Sequence, residues 1–261
     1  MCFITVAISP SPYDTAFLSD VLTTFSTYND DGVSILSWDN QTEYFDLTRS
    51  LGNVEKKLSL TPTWDVNIIH LRQSTSGAVD EHNLHLWEHN DWYFAHNGFI
   101  PDLASKENPD SDSLQFFNIL VARGLLDKTK LPHKDIGLLA QQHRLLGRFL
   151  LANKRTKRIY FFGDWLITYI DEVIYVSSTY IANLLPVESI KVMGVKLEST
   201  PARAFETKKS GKFFYDGLLG SFVDLDPSWQ TRATVYPPPK TRPTLLPTST
   251  EDILEGVVNS G

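Results

Sequence analysis

The chain holds one cysteine, and it stands at position 2. A cysteine thiolate is nucleophilic enough to attack a poor electrophile such as a carboxamide. No histidine or aspartate adjoins Cys2 in sequence to take its proton. Removal of Met1 would place a base on the same residue, since a free α-amino group titrates at about 7.7–8.0. Cysteine is small enough for Met1 to be excised, so the sequence as written corresponds to an immature form. The ordinary structural alternative for Cys2 is a small buried hydrophobe opening a strand. Other polar segments invite similar double readings. His70 and His96 fit strand ends, Arg72 an ion pair, Asn97-Gly98 a turn, and Asp112 a helix N-terminus favoured by the dipole.

The elements that must position these residues are read from periodicity. Phe3 to Ser9 predicts a strand beginning at once, and Thr15 to Tyr28 a helix with Phe17, Leu18, Val21, Leu22 and Phe25 on one side. After the turn Asn29-Asp30-Asp31-Gly32, Val33 to Trp38 and Tyr44 to Leu47 predict a hairpin closed by Asp39-Asn40. Val54 to Leu60 reads as a short helix or turn, Val66 to Arg72 as a strand, and Trp92 to His96 as a strand ending sharply at Asn97-Gly98. Asp112 to Arg123 predicts a helix with Ser111 as N-cap and Gly124 as its stop. Asp135 to His143 predicts another helix. Short strands follow at Arg148 to Asn153, Ile159 to Phe162, Trp165 to Ile170 and Val173 to Ser177. Strands cluster at both ends of this region with helices between, the pattern of an α+β sandwich and not of a doubly wound parallel sheet.

Composition narrows the classes further. With 261 residues, 42% hydrophobic and 12% aromatic, the chain can bury a substantial core. The net charge is −7, and the one basic run, Lys154 to Arg158, reads as a β-turn, so nucleic acid is not an expected partner. No apolar run reaches the roughly 18 residues needed to span a bilayer. The N-terminus lacks a signal-peptide pattern, and a single cysteine forms no intramolecular disulfide; no membrane partner and a cytoplasmic location are expected. No GxxxxGK[ST] phosphate loop occurs. Asp80, Glu81, His82, His85 and His89 match no metal-ligand spacing and read as a solvent-facing loop, so neither metal nor cofactor is expected. From Thr207 the sequence loosens, with Pro237-Pro238-Pro239, Pro243 and Pro247 marking extended chain, and Ser249 to Val258 reads as a disordered terminus in preference to a short amphipathic docking helix.

Order and separation link the polar segments. Met1-Cys2 before a strand, His70-x-Arg72, Ser74-Thr75-x-Gly77, Asn83-x-His85, His96-Asn97-Gly98 and Ser111-Asp112-Ser113 follow one another along residues 1 to 180. In this the chain resembles the glutaminase domain of class II glutamine amidotransferases, members of the N-terminal nucleophile hydrolases, and among them the compact stand-alone forms. Two departures bear on loop geometry. Leu86 stands where the family usually has proline, and Gly32-Val33-Ser34 keeps only the first glycine of a Gly-x-Gly.

The resemblance implies a four-layer αββα sandwich of two antiparallel sheets, with the amidotransferase domain over residues 1–200 and a C-terminal extension over 201–261. It implies that Cys2, freed of Met1, hydrolyses the side-chain amide of glutamine through a γ-glutamyl thioester, releasing glutamate and ammonia. Asn97 and the Gly98 N–H are then the oxyanion donors. Arg72 would take the substrate α-carboxylate and Asp112 its α-ammonium, with Ser74 or Thr75 adding a hydrogen bond. His70 and His96 are expected to be structural. The chain has no room for a complete synthetase domain, so the ammonia acceptor is expected on a separate partner. Two other readings are an N-terminal cysteine amidohydrolase acting on another γ-glutamyl or acyl amide, and a non-catalytic partner that keeps the fold.

Overall fold

Apolar runs without alternation, such as Phe3–Ile8 and Val66–Arg72, suit strands covered on both faces, and both are buried along their whole length. The computed structural model describes residues 2–9, 16–40, 42, 45–52, 64–105, 107–170, 173–179, 181, 204–209, 212–216 and 221–225. Met1, the expected turn at Val54 to Leu60, the Pro-rich stretch and the segment from Ser249 to Val258 lie outside them. In chain order the elements are β1 (Phe3–Ile8), α1 (Ala16–Ser26), β2 (Gly32–Trp38), β3 (Phe45–Leu51), β4 (Val66–Arg72), β5 (Trp87–His89) and β6 (Trp92–Phe99). Then come α2 (Asp112–Ala122), α3 (His133–Gln142), β7 (Leu146–Asn153), β8 (Arg158–Phe162), β9 (Trp165–Ile170), β10 (Val173–Ser177), β11 (Ala204–Lys209), β12 (Lys212–Asp216) and β13 (Ser221–Asp224).

The described strands form two antiparallel sheets. One has seven strands in the order β11-β9-β10-β1-β4-β2-β3, and the other six in the order β13-β12-β8-β7-β6-β5. The sheets pack face to face, and helices cover both outer faces, giving the four-layer αββα sandwich. Side chains alternate between layers as the strand period requires. On β1, Ile4, Val6 and Ile8 enter the inter-sheet core, while Phe3 and Ala7 meet Leu18, Val21 and Leu22 of α1. On β6, Tyr93 and Ala95 point between the sheets, while Trp92 and Phe94 join the cluster containing Leu114, Phe117 and Leu120 of α2. None of the described helices is long and apolar enough to cross a membrane.

Three features depart from the sequence reading. The hairpin strand expected over Tyr44 to Leu47 runs on to Leu51, as the sheet-edge strand β3, which keeps pairing with β2 as far as Gly32↔Leu51. Asn97-Gly98 does not turn the chain: β6 continues through it to Phe99, with Asn97 opposite Arg148 and Gly98 opposite Gly147. Ladder pairing overrides the local turn preference of the dipeptide. Within the extension, expected to be partly irregular and to loosen from Thr207, Ala204–Lys209 forms β11 on β9 and Lys212–Asp216 and Ser221–Asp224 form the β12–β13 pair on β8, so these strands extend both sheets.

The substitution at position 86 has a backbone consequence. Leu86 has φ of 62° and is fully buried. A proline ring holds φ near −65°, so proline cannot occupy this conformation. The preceding His85, expected to face solvent, is instead buried between two rings. It stacks on His70 with centroids 3.8 Å apart and lies tilted against Trp87 with centroids 4.4 Å apart. His85 Nδ1 accepts a hydrogen bond from the His96 backbone N–H at 3.2 Å. Burial pushes the pKa of His70 down to about 3 and that of His85 well below the ordinary histidine value.

Two outcomes follow. Leu86→Pro is expected to cost about 3 kcal/mol or more, read as a lower urea midpoint; an unchanged midpoint would contradict the backbone assignment. The histidine stack predicts a pH dependence. Both folded-state pKa values lie below the unfolded value near 6.5, so the unfolded chain binds more protons once pH falls below that value. Stability is therefore full above about pH 6.5 and declines on acidification by up to about 1.4 kcal/mol per pH unit for each ring. Thermal unfolding between pH 7.5 and 5.0, above most carboxylate titrations, checks this: wild type should lose stability and His85→Asn should lose less. Parallel curves would refute it.

Candidate functional site

Cys2 directly precedes β1, and the β1–β4 register Phe3↔Leu71 sets it across from Arg72. Strand alternation gives Cys2 the same inter-sheet direction as Ile4. Its thiol lies 3.4 Å from both the Gln73 N–H, which donates to it, and the Gln73 carbonyl, which accepts from it. Burial raises the Cys2 pKa, and the Gln73 backbone hydrogen bond and the Arg72 charge oppose that rise without cancelling it. The sulfur is thus held as a thiol.

Asn97 continues the inter-sheet series Tyr93, Ala95 on β6 and is buried. Its side-chain Oδ1 has no hydrogen-bond partner among the described residues. Gly98 is sterically obligatory: a Cβ there would lie 1.9 Å from the Leu146 carbonyl oxygen and 2.6 Å from His96 Nε2. Its cross-strand partner Gly147 has φ of 101°, and a Cβ on it would meet the Asn97 carbonyl oxygen at 2.3 Å. Two glycines therefore let β6 and β7 approach closely at this end. His96 braces the same point, with Nδ1 2.8 Å from Ser113 Oγ and Nε2 3.1 Å from the Leu146 carbonyl. Burial lowers its pKa while the Asp112 carboxylate pulls the other way.

Arg72 and Asp112 both hold the loop between them. Arg72 Nη2 donates to the carbonyls of Ala78 at 2.9 Å and Ser76 at 3.4 Å and to Ser74 Oγ at 3.3 Å. Its Nη1 is buried without a hydrogen-bond partner among the described residues. Burial lowers the Arg72 pKa, and Cys2, Asp31, Asp80 and Asp112 counter this. Asp112, capped into α2 by Ser111, accepts from Ser76 Oγ at 2.8 Å, from its neighbour Ser113 N–H at 2.8 Å, and from the Ile100 N–H at 2.6 Å. The last bond ties the helix start to the end of β6. Asn83 completes the brace: its Oδ1 accepts from the Ser111 N–H at 2.6 Å and its Nδ2 donates to the Pro109 carbonyl at 2.8 Å. Gly77, with φ of 73°, leaves room for this junction, since a Cβ would fall 2.5 Å from Ser111 N.

The loop walls a cleft of about 650 Å³ lined by Ser74, Thr75, Ser76 and Gly77 on one side and Phe99 and Asn108 among others on the opposite side. Ser74 and Thr75 therefore line the cleft, whereas Cys2, Arg72, Asn97, Gly98 and Asp112 do not belong to its lining. Among the described residues no group of three His, Cys, Asp or Glu side chains is placed to hold a metal ion. Glu81 and His82 are exposed, whereas His85 is buried and His89 bonds Asp127 at 3.0 Å. Ser76 escaped the sequence reading, although it stands at the unassigned position of Ser74-Thr75-x-Gly77. Only the fold reveals that its hydroxyl reaches a residue 36 positions away.

No family model matches the chain, and no curated protein matches it. Among solved structures it is similar to glutamine phosphoribosylpyrophosphate amidotransferase from B. subtilis complexed with ADP and GMP, at 16% identity and a TM-score of 0.47, over 68% of this chain and 42% of that one. It is also similar to the structure of an allosteric regulatory enzyme of purine biosynthesis, at 14% identity and a TM-score of 0.50, over 83% of this chain and 49% of that one. The chain thus spans less than half the length of either solved chain. At such identity the second likeness is one of fold: this chain is an α+β, four-layer αββα sandwich of two antiparallel sheets.

Proposed function

We propose that the protein is a glutaminase of the class II amidotransferase type, with Cys2 as nucleophile. The observation that carries this reading is the strand register that sets Cys2 across from Arg72, combined with the side-chain alternation that turns Cys2 and Asn97 into the same inter-sheet space. A buried thiol whose pKa is raised needs a base beside it. The α-amine exposed by loss of Met1 is that base: it takes the thiol proton as Sγ attacks the glutamine side-chain carbonyl and passes it to the departing ammonia. The Asn97 amide and the Gly98 N–H receive the negative charge on the oxygen. Water then cleaves the γ-glutamyl thioester to glutamate, with the same amine as proton acceptor. Residues 1–200 carry all the proposed site residues.

Arg72 would bind the substrate α-carboxylate through its unpaired Nη1, and Asp112 the α-ammonium, with Ser74 and Thr75 at the cleft wall. One observation favours a second reading. Both Asp112 oxygens and Arg72 Nη2 already hold the protein's own groups, which suits an acyl amide lacking one of the two α-substituents. Assay of a panel of glutamine, γ-glutamyl amides and N-acyl amino acids separates the two. The ammonia acceptor is proposed to reside on a separate protein, contacted through the C-terminal extension. A truncation that tests this should keep β11–β13 and remove residues 226–261 only, because the three strands extend both sheets.

Mass spectrometry of the purified protein should find the Met1-free form, and that form should release equimolar glutamate and ammonia from glutamine. Cys2→Ala should abolish release, and Asn97→Ala should lower kcat by about 10²–10³-fold. Absence of release by the processed wild type, or unchanged release by Cys2→Ala, would sink the proposal.

A further inference from the structure

The proposed nucleophile and the proposed oxyanion donors lie on different sheets, and a polar bridge beside them joins those sheets. Arg148 is the cross-strand partner of Asn97 on β7. Its side chain follows the inter-sheet alternation of Leu150 and Ala152. Arg148 Nη1 donates a hydrogen bond to the carbonyl of Ser178, immediately after β10 in the other sheet. Ser178 in turn grips β1 at two points: its N–H donates to the Ile4 carbonyl at 2.8 Å, and its Oγ accepts from the Ile4 N–H at 2.9 Å. Ile4 lies two residues beyond Cys2.

The backbone under Arg148 has little freedom. Gly163, with φ of 95°, begins the short connection by which the chain passes from β8 in one sheet to β9 in the other. A Cβ on Gly163 would lie 3.1 Å from Arg148 Cβ and 2.8 Å from the Gly147 carbonyl oxygen. The guanidinium thus projects from a strand fixed on one side by Asn97 and on the other by the crossover.

We propose that Arg148 is a positioning residue: through Ser178 and Ile4 it fixes the separation between Cys2 and the Asn97-Gly98 donors. This rests on the glutaminase reading for its catalytic consequence, but the bridge itself is a structural assignment. Arg148, Ser178 and Ile4 are not among the residues proposed to bind the amino acid, so loss of the bridge is expected to affect the geometry of attack more than the affinity. A displacement of about 1 Å of reacting groups can cost about 10²-fold in rate.

The test compares processed wild type, Arg148→Met, Arg148→Lys and Ser178→Ala. Arg148→Met keeps length and loses every donor; its kcat for glutamine should fall by about 30- to 100-fold with KM changed less than about threefold. Arg148→Lys keeps one reaching donor and should recover part of the loss. Ser178→Ala keeps the carbonyl that Arg148 reaches but frees the Ile4 N–H, and should also lower kcat selectively. Hydrogen exchange over residues 2–9 supplies an activity-independent readout: Arg148→Met should exchange faster there than wild type, while residues 112–122 of α2 stay unchanged. If wild type is inactive on glutamine but the exchange difference appears, the glutaminase reading fails and the bridge stands. If Arg148→Met exchanges like wild type over residues 2–9, or retains kcat within threefold in an active enzyme, the inference is overturned. A uniform rise in exchange across both sheets, α2 included, also overturns it, because Arg148 then serves global stability only.

Discussion

The separation between the two sheets is the constraint on which the site depends. A filled layer of side chains such as Ile4, Val6, Tyr93, Ala95 and Trp165 holds the sheets apart at a spacing that close packing leaves little freedom to change. Because side chains alternate strictly along a strand, this core also decides which polar residues reach the gap at its end. Cys2 follows from Ile4, and Asn97 from Ala95. A one-residue slip of β1 would turn Cys2 toward α1 and carry Phe3 into the gap. The candidate site is in this sense the terminus of the hydrophobic core, where the same geometry is occupied by groups able to react.

Much of this could be read from residue types. The largely apolar β1 and the apolar Val66, Ile68, Ile69 and Leu71 of β4 call for cover on both faces, which already favours layers of helix outside two sheets. The N-cap at Ser111 and the stop at Gly124 follow from local chemistry and hold in the structure. What was not legible depends on contacts between distant segments. Asn97-Gly98 has the composition of a turn and the position of a strand, because Gly147 lies across from it. His85 has the composition of a loop residue, but its ring is enclosed by His70 and Trp87. For Arg72 and Asp112 the sequence offered a ligand role or, respectively, an ion pair and a helix start, and neither reading included the serine-rich loop, which each binds with part of its hydrogen-bonding capacity. The edge strands β11 and β13 lie at the sheet margins, while β12 between β13 and β8 sends Tyr215 into the inter-sheet core.

The loop from Ser74 to Ala78 shows how few charges are needed to shape the cleft. One guanidinium and one carboxylate, anchored on different layers, pull on it through Ser74, Ser76 and Ala78. Charged groups held in this way are desolvated and satisfied mainly by short-range donors and acceptors, so they fix geometry more firmly than exposed pairs such as Lys154–Glu88. The two functions proposed for Arg72 and Asp112, shaping the wall and reading a substrate, need not conflict, since a carboxylate and a guanidinium each offer more than two hydrogen-bonding directions.

The pairing of Ile4 with Ser178 spans 174 positions of sequence. β1 is therefore synthesised well before β10 and gains its second neighbour only once that strand has emerged. At ribosomal rates of about 5–20 residues per second, roughly ten seconds or more pass between the emergence of β1 and that of the segment that closes over it. During that interval the strand end that bears Cys2 lacks its β10 side and stays open to processing enzymes. If Met1 is removed as proposed, the order of synthesis gives a window for uncovering the amine before β10 pairs with β1, and a chain that folded faster than it was trimmed would close that strand around an unprocessed Cys2.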